Sequence, residues 1–184
     1  AWKLKLPKEE WGFFYSRLSA NDKAFAPVRN INRKPSEGFS LAADDRGRVT
    51  ACWLADKLYA NVSTDGGATW TAIAQEKQLP CPKCQGSLLR YDDQRLLFSN
   101  PRPPEPKGGK PSNSRVRLTL RSSTDDGKTW PIARELHDGP SAYSSLARLP
   151  DGLVLCLYEA GDKSAYQSLR LARFNMEWVL DRTN

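Results

Sequence analysis

The sequence predicts an all-β fold assembled from repeated strand units, as in a propeller or solenoid array. Three observations predict it. The signature S-x-D-x-G-x-T-W occurs twice, as Ser63-Thr64-Asp65-Gly66-Gly67-Ala68-Thr69-Trp70 and as Ser123-Thr124-Asp125-Asp126-Gly127-Lys128-Thr129-Trp130, 60 residues apart. Recurrence on that scale marks repeat architectures. Short β-prone runs separated by Asp and Gly turn signals occupy much of the chain. No amphipathic helical period interrupts them.

Each copy of the signature has a mechanical meaning. Its Ser and Asp side chains can bond the backbone of their own turn. Its Gly supplies the corner with φ > 0, and its Trp folds back as an apolar plug. The copy is therefore read as a fastener between two strands of a hairpin.

The strands follow in order. Trp11 to Ser16 is aromatic-rich and β-prone. Phe39 to Ala43 and Arg48 to Leu54 flank the turn Asp44-Asp45-Arg46-Gly47, and Lys57 to Ser63 leads into the first signature. The order recurs with Ser87 to Tyr91, the turn Asp92-Asp93, Arg95 to Ser99, Arg115 to Ser122, the second signature and Pro131 to Leu136. Ser145 to Leu149, the turn Pro150-Asp151-Gly152, Leu153 to Glu159 and Leu169 to Phe174 open a further unit. Ser19 to Phe25 echoes the signature in worn form through Ser19, Asn21 and Phe25. Pro101 to Asn113 is rich in Pro, Gly and Lys, cannot pair as a strand interior, and is expected to be a long exposed loop.

Composition narrows the partners. The 184 residues carry a formal charge of +7, but the 28 Lys and Arg form no run of five or six. No nucleic-acid motif is present. An acidic sugar fits the basic balance better than nucleic acid does, and a merely basic surface is the plain alternative. No stretch reaches the ~20 apolar residues of a membrane span. Ala1 to Pro7 lacks an apolar signal core, so no signal peptide is expected in this chain; the expected location is secreted or periplasmic. The four cysteines are Cys52, Cys81, Cys84 and Cys156. Cys81-Pro82-Lys83-Cys84 is a single C-x-x-C without a second pair, and His137 is the only histidine. Zinc is therefore not expected, nor any other metal or cofactor. A pair of loop cysteines, or one disulfide, is.

The double signature resembles the Asp-box of sialidase-type β-propellers. In the second half, Ser99-Asn100-Pro101, Arg115 to Arg121, the second Asp-box, Gly139 to Leu146, Leu149 to Gly152 and Leu157-Tyr158-Glu159 come in one order. That order resembles the closing part of the exo-α-sialidases (neuraminidases). The resemblance implies a six-bladed propeller, of which 184 residues would hold about four blades, as a single domain or a fragment of one. It implies that Tyr143, in Ala142-Tyr143-Ser144-Ser145-Leu146, is the nucleophile. It implies that Arg115 is one of three arginines gripping the sialic acid carboxylate, and that Glu159 orients another. Arg33, in Arg33-Lys34-Pro35, echoes the first arginine segment, and Glu37 stands where the base is expected. The acid could be Asp44, Asp45 or Asp56, of which the first two read as turn residues. The strand that should bear the second arginine reads Ala51-Cys52-Trp53-Leu54, with no Arg.

The chemistry is coherent. Sialic acid carries a carboxylate beside its anomeric carbon, which would repel a carboxylate nucleophile. A neutral Tyr activated by a Glu base avoids this. A planar guanidinium matches a carboxylate with two parallel bonds. Two functions stay open: a retaining exo-sialidase acting on terminal sialic acid of glycoconjugates, and a non-catalytic Asp-box propeller that binds glycan or protein. With about four blades, self-association into a homo-oligomer is also expected.

Overall fold

The computed structural model describes residues 2–5, 11–16, 23, 24, 26, 27, 29, 30, 37–55, 57–105 and 112–181. The two Asp-boxes adopt the same bonded turn. In the first, Asp65 Oδ1 accepts from Ser63 Oγ (2.8 Å) and Thr69 N (2.8 Å), and Ser63 Oγ accepts from Gly67 N (2.8 Å). In the second, Asp125 Oδ1 accepts from Ser123 Oγ (2.8 Å) and Thr129 N (2.8 Å), and Ser123 Oγ accepts from Gly127 N (2.9 Å). The corners are Gly66 and Gly67 in the first box, and Asp126 and Gly127 in the second, all with φ between 58° and 88°. Sequence chemistry within eight residues suffices to build each turn.

The turns join antiparallel strands. β1 (Trp2–Lys5), β2 (Trp11–Tyr15) and β3 (Arg29–Asn30) form a three-stranded sheet. β4 (Glu37–Ala43), β5 (Val49–Leu54), β6 (Leu58–Ser63) and β7 (Ala74–Gln75) form a four-stranded sheet in chain order. The third sheet holds β8 (Ser87–Arg90), β9 (Leu96–Pro101), β10 (Val116–Ser123), β11 (Ile132–Arg148), β12 (Val154–Ala160) and β13 (Ser168–Phe174). A five-residue helix, α1 (Met176–Leu180), follows, capped by Asn175 Oδ1 accepting from Trp178 N.

One expectation about the strands is corrected here. Pro131 to Leu136 and Ser145 to Leu149 were expected in separate units, but they are the two ends of one 17-residue strand, β11. Its first half pairs with β10 and its second half with β12, so the two units share a curled six-stranded sheet. β1 and α1 also carry no signal in the strand reading. The described strands thus lie in three sheets. The echo residues Ser19, Asn21 and Phe25 lie outside the described residues, as does the middle of the Pro101 to Asn113 loop; Pro101 itself is buried as the last residue of β9.

Strand alternation sends neighbours to opposite faces, and this divides the core. Leu97, Leu118, Leu120, Leu146, Val154, Cys156 and Phe174 share one cluster. Leu96 and Phe98 face the other way, into a cluster with Ala42, Cys52, Leu58 and Leu88 that joins the four- and six-stranded sheets. Trp130 of the second box packs there, 6.0 Å from Phe98. Trp70 of the first box packs instead with Ala51 and Trp53. Ion pairs cross the same junction: Asp44 Oδ2 lies 4.0 Å from Nε of Arg90, whose side chain is 2% exposed, and Arg48 Nη1 lies 3.7 Å from Asp126 Oδ1.

Candidate active site

The second Asp-box brings the candidate residues into range. It closes the β10–β11 hairpin, in which Ser122 faces Ile132 and Val116 faces Pro140. At the far end from the box, Ser141 N donates to Arg115 O (2.9 Å). Here β11 changes partner. Ser141 pairs with Ala160 and Ser144 with Tyr158, with a register shift between them. A bulge of this kind re-aims the side chain it carries, and Tyr143 sits in it, 42% exposed. Its neighbours are fixed. Ala142 is fully buried against Cys84 and Ala165, and Ser144 Oγ is bonded to Ser99 Oγ (2.8 Å).

Three predicted residues meet at this bulge. The Arg115 guanidinium lies over the Tyr143 ring, 5.2 Å from its centroid. Arg115 Nη1 donates to Tyr166 Oη (2.7 Å) and Nη2 to Lys83 O (2.5 Å). Glu159, half-buried on β12, accepts from Tyr143 N through Oε2 (3.3 Å). Glu159 was expected to orient a second arginine; the described residues place its carboxylate on the Tyr143 backbone. Burial acts to lower the Arg115 pKa, but its hydrogen bond with Tyr143 and the neighbouring Cys84 and tyrosines outweigh this and raise it. Arg115 is therefore a permanent cation. Burial pushes the Cys84 thiol up to about 12, despite the pull of Arg115 beside it.

The remaining candidates are not brought to this cluster by any described contact. Glu37 opens β4 opposite Leu54. The next residue, Gly38, packs on Gln85, where a Cβ would stand 3.2 Å from Gln85 Cβ. That contact lies one residue along the chain from Cys84. Arg33 and Asp56 lie outside the described residues. Asp44 is a turn residue: its Oδ1 accepts from Arg46 N (3.0 Å) and Arg48 N (2.9 Å), and its Oδ2 pairs with the Arg48 side chain. Asp45 is exposed in that turn. Ala51 to Leu54 is buried throughout, with Trp53 2% exposed.

Sequence reasoning missed Lys83 and Tyr166, which hold Arg115. The C-x-x-C was the one available signal for Lys83, whose φ of 50° turns the loop. Arg121 is structural: it is 4% exposed, donates to Asn100 Oδ1 (2.6 Å), and burial lowers its pKa to about 10. All four cysteines are free thiols, so the C-x-x-C is a pair of loop cysteines rather than a disulfide. Among the described residues, no group of three or more His, Cys, Asp or Glu could hold a metal. No helix there is long and apolar enough to cross a membrane. A groove of about 500 Å³ lies elsewhere, beside α1, lined by Leu136, Leu153, Phe174 and Trp178 among others.

Residues 41–156 match the BNR repeat-like domain family. The chain is 35% identical over 127 residues to a sialidase of Micromonospora viridifaciens, covering 64% of this chain and 18% of that protein. It is 30% identical over 174 residues to an exo-alpha-sialidase of Aspergillus fumigatus, covering 85% of this chain and 41% of that one. Among solved structures, a Hadza microbial sialidase superposes with a TM-score of 0.70 at 21% identity, covering 97% of this chain and 35% of that one. The chain thus spans less than half the length of each of these relatives. The bonded Asp-boxes and the sheet arrangement agree with these matches, and the chain belongs to the BNR repeat-like family of the exo-alpha-sialidase type.

Proposed function

We propose that the chain carries part of the site of a retaining exo-α-sialidase, with its sheets serving as blades of an Asp-box β-propeller. The single observation that supports this most is the stacking of Arg115 on Tyr143, with Glu159 bonded to the Tyr143 backbone. In this reading Arg115 grips the carboxylate of a terminal sialic acid and sets the anomeric carbon over Tyr143. The Tyr143 hydroxyl gives its proton to a carboxylate base, for which Glu37 is the candidate, and its oxygen bonds the anomeric carbon. The glycosidic C–O bond breaks, and the departing oxygen takes a proton from a general acid. Water then cleaves the tyrosyl intermediate with net retention. Glu159 holds the bulge that carries Tyr143 by accepting its backbone N–H.

The test is hydrolysis of a fluorogenic sialoside by the chain. The expected result is release of the fluorophore that Tyr143→Phe abolishes without changing the melting temperature. Full activity in Tyr143→Phe removes Tyr143 as nucleophile.

One observation favours a second reading, a propeller that binds glycan or protein without cleaving it. The buried strand Ala51 to Leu54 carries no arginine, and Trp53 within it is 2% exposed. A site short of one arginine loses a charge-assisted bond of roughly 1.5–3 kcal/mol. Binding of sialic acid by calorimetry, with no hydrolysis, would select this reading.

A further inference from the structure

We propose that Tyr166 is a positioning residue for Arg115: its hydroxyl holds the guanidinium in the orientation that receives a carboxylate, a role that rests on Arg115 being the clamp proposed above. Tyr166 belongs to no matched motif and is 60% exposed, with its hydroxyl 2.7 Å from Arg115 Nη1. An aromatic side chain that exposed has little packing role.

The loop that presents it is built. Gln167 Oε1 accepts from Lys163 N (2.8 Å) and Ser164 N (3.1 Å), closing residues 163–167 into a tight turn. Ser164 Oγ accepts from Tyr166 N (3.3 Å). Gly161 leaves no space for a side chain, since a Cβ there would collide with Gln167 Oε1 and the Ser164 carbonyl. Ala165, 7% exposed, is buried with Cys84 and Ala142, the residue before Tyr143. The same small cluster therefore anchors the loop bearing Tyr166, the bulge bearing Tyr143, and the Cys84 end of the loop whose Lys83 carbonyl takes the other guanidinium nitrogen.

The consequence is pre-organisation. An arginine has several rotatable bonds, and ordering them at the moment of binding weakens affinity. Tyr166 and Lys83 each occupy one N–H of the two terminal nitrogens. A guanidinium has five N–H donors, two on each terminal nitrogen, so holding one on each nitrogen fixes the direction of the planar fork that a bidentate carboxylate needs.

The test uses Tyr166→Phe in the full chain, which removes the hydroxyl and keeps the ring. Nitrogen-15 relaxation of the Arg115 Nε–H reads the restraint without any ligand, and calorimetry with the didehydro analogue of sialic acid reads its effect on binding. The expected results are a lower order parameter at Arg115, an unchanged melting temperature, and affinity weaker by about three- to tenfold. In an Arg115→Ala background the same change should have no further effect. An unchanged Arg115 order parameter overturns the proposal. So does equal weakening in the Arg115→Ala background, because Tyr166 would then touch the ligand itself. If Tyr166→Phe loosens Arg115 but the wild-type chain binds no analogue, the restraint stands and the sialidase reading fails.

Discussion

The Arg115 guanidinium carbon lies 5.2 Å from the centroid of the Tyr143 ring, although the two residues stand at opposite ends of a long sequence excursion. β10 carries the chain from Arg115 to the second Asp-box, and β11 carries it back to the bulge at Tyr143. Lysine at 115 would keep the charge but lose the planar fork and the stacking surface. Arg115→Lys is expected to weaken binding of the didehydro analogue at least tenfold, the equivalent of ~1.4 kcal/mol. Unchanged affinity by calorimetry would remove Arg115 from the site.

The Asp-box network predicts a stability effect far from Tyr143. Asp125 accepts from Ser123 Oγ, Thr129 N and Thr129 Oγ1, and β10 and β11 meet at that turn. Asp125→Ala is expected to cost roughly 1–3 kcal/mol, read as a lower urea midpoint. A midpoint equal to wild type would mean that strand pairing alone sets this hairpin.

Acid should destabilise the protein through the same carboxylates. Hydrogen bonds from Thr69 and Ser63 hold Asp65 down to about 2. Burial would raise Asp44 and Asp125, but bonds from Arg48 and from Thr129 and Ser123 outweigh it and lower both. The unfolded chain then binds more protons than the folded one at acid pH, so stability rises with pH. The contribution is complete above the ordinary Asp value near ~4 and is lost as pH falls through the folded values, about 2 for Asp65. Urea midpoints should fall between pH 5 and 2. A flat profile there would contradict the bonded carboxylates.

Gly86 lies against the junction of the four- and six-stranded sheets. A Cβ there would stand 2.8 Å from Phe98 Cε2 and 2.9 Å from Ser99 O, and Phe98 is 1% exposed and cannot swing away. Gly86→Ala is expected to destabilise by about 1–3 kcal/mol through overpacking. A circular-dichroism melt indistinguishable from wild type would mean that the junction relaxes freely.

The strands between turn signals were legible because their cues are local. Asp44 and Gly47 close the turn between β4 and β5, as their spacing predicts. Pro131 to Leu136 and Ser145 to Leu149 were not legible as one strand. Gly139 and Pro140 between them read as a break, whereas pairing on either side carries the strand through. Tyr143, Arg115 and Glu159 were singled out as candidates by resemblance to a motif order. Tyr166 and Lys83 were not, because neither sits in a motif and their role exists only where three loops converge.

What the sequence by itself determined is the pair of Asp-boxes, each folded by bonds among residues two to four apart, and the alternation that divides Leu96 from Leu97 into separate cores. Tertiary structure alone decided that a bulge in β11 presents Tyr143 to Arg115, that Glu159 takes the Tyr143 N–H, and that Tyr166 restrains the guanidinium. The physical reason is range. A turn is fixed by donors and acceptors within one short segment, whereas these contacts join residues 16 to 51 apart and form only once β10, β11 and β12 have paired.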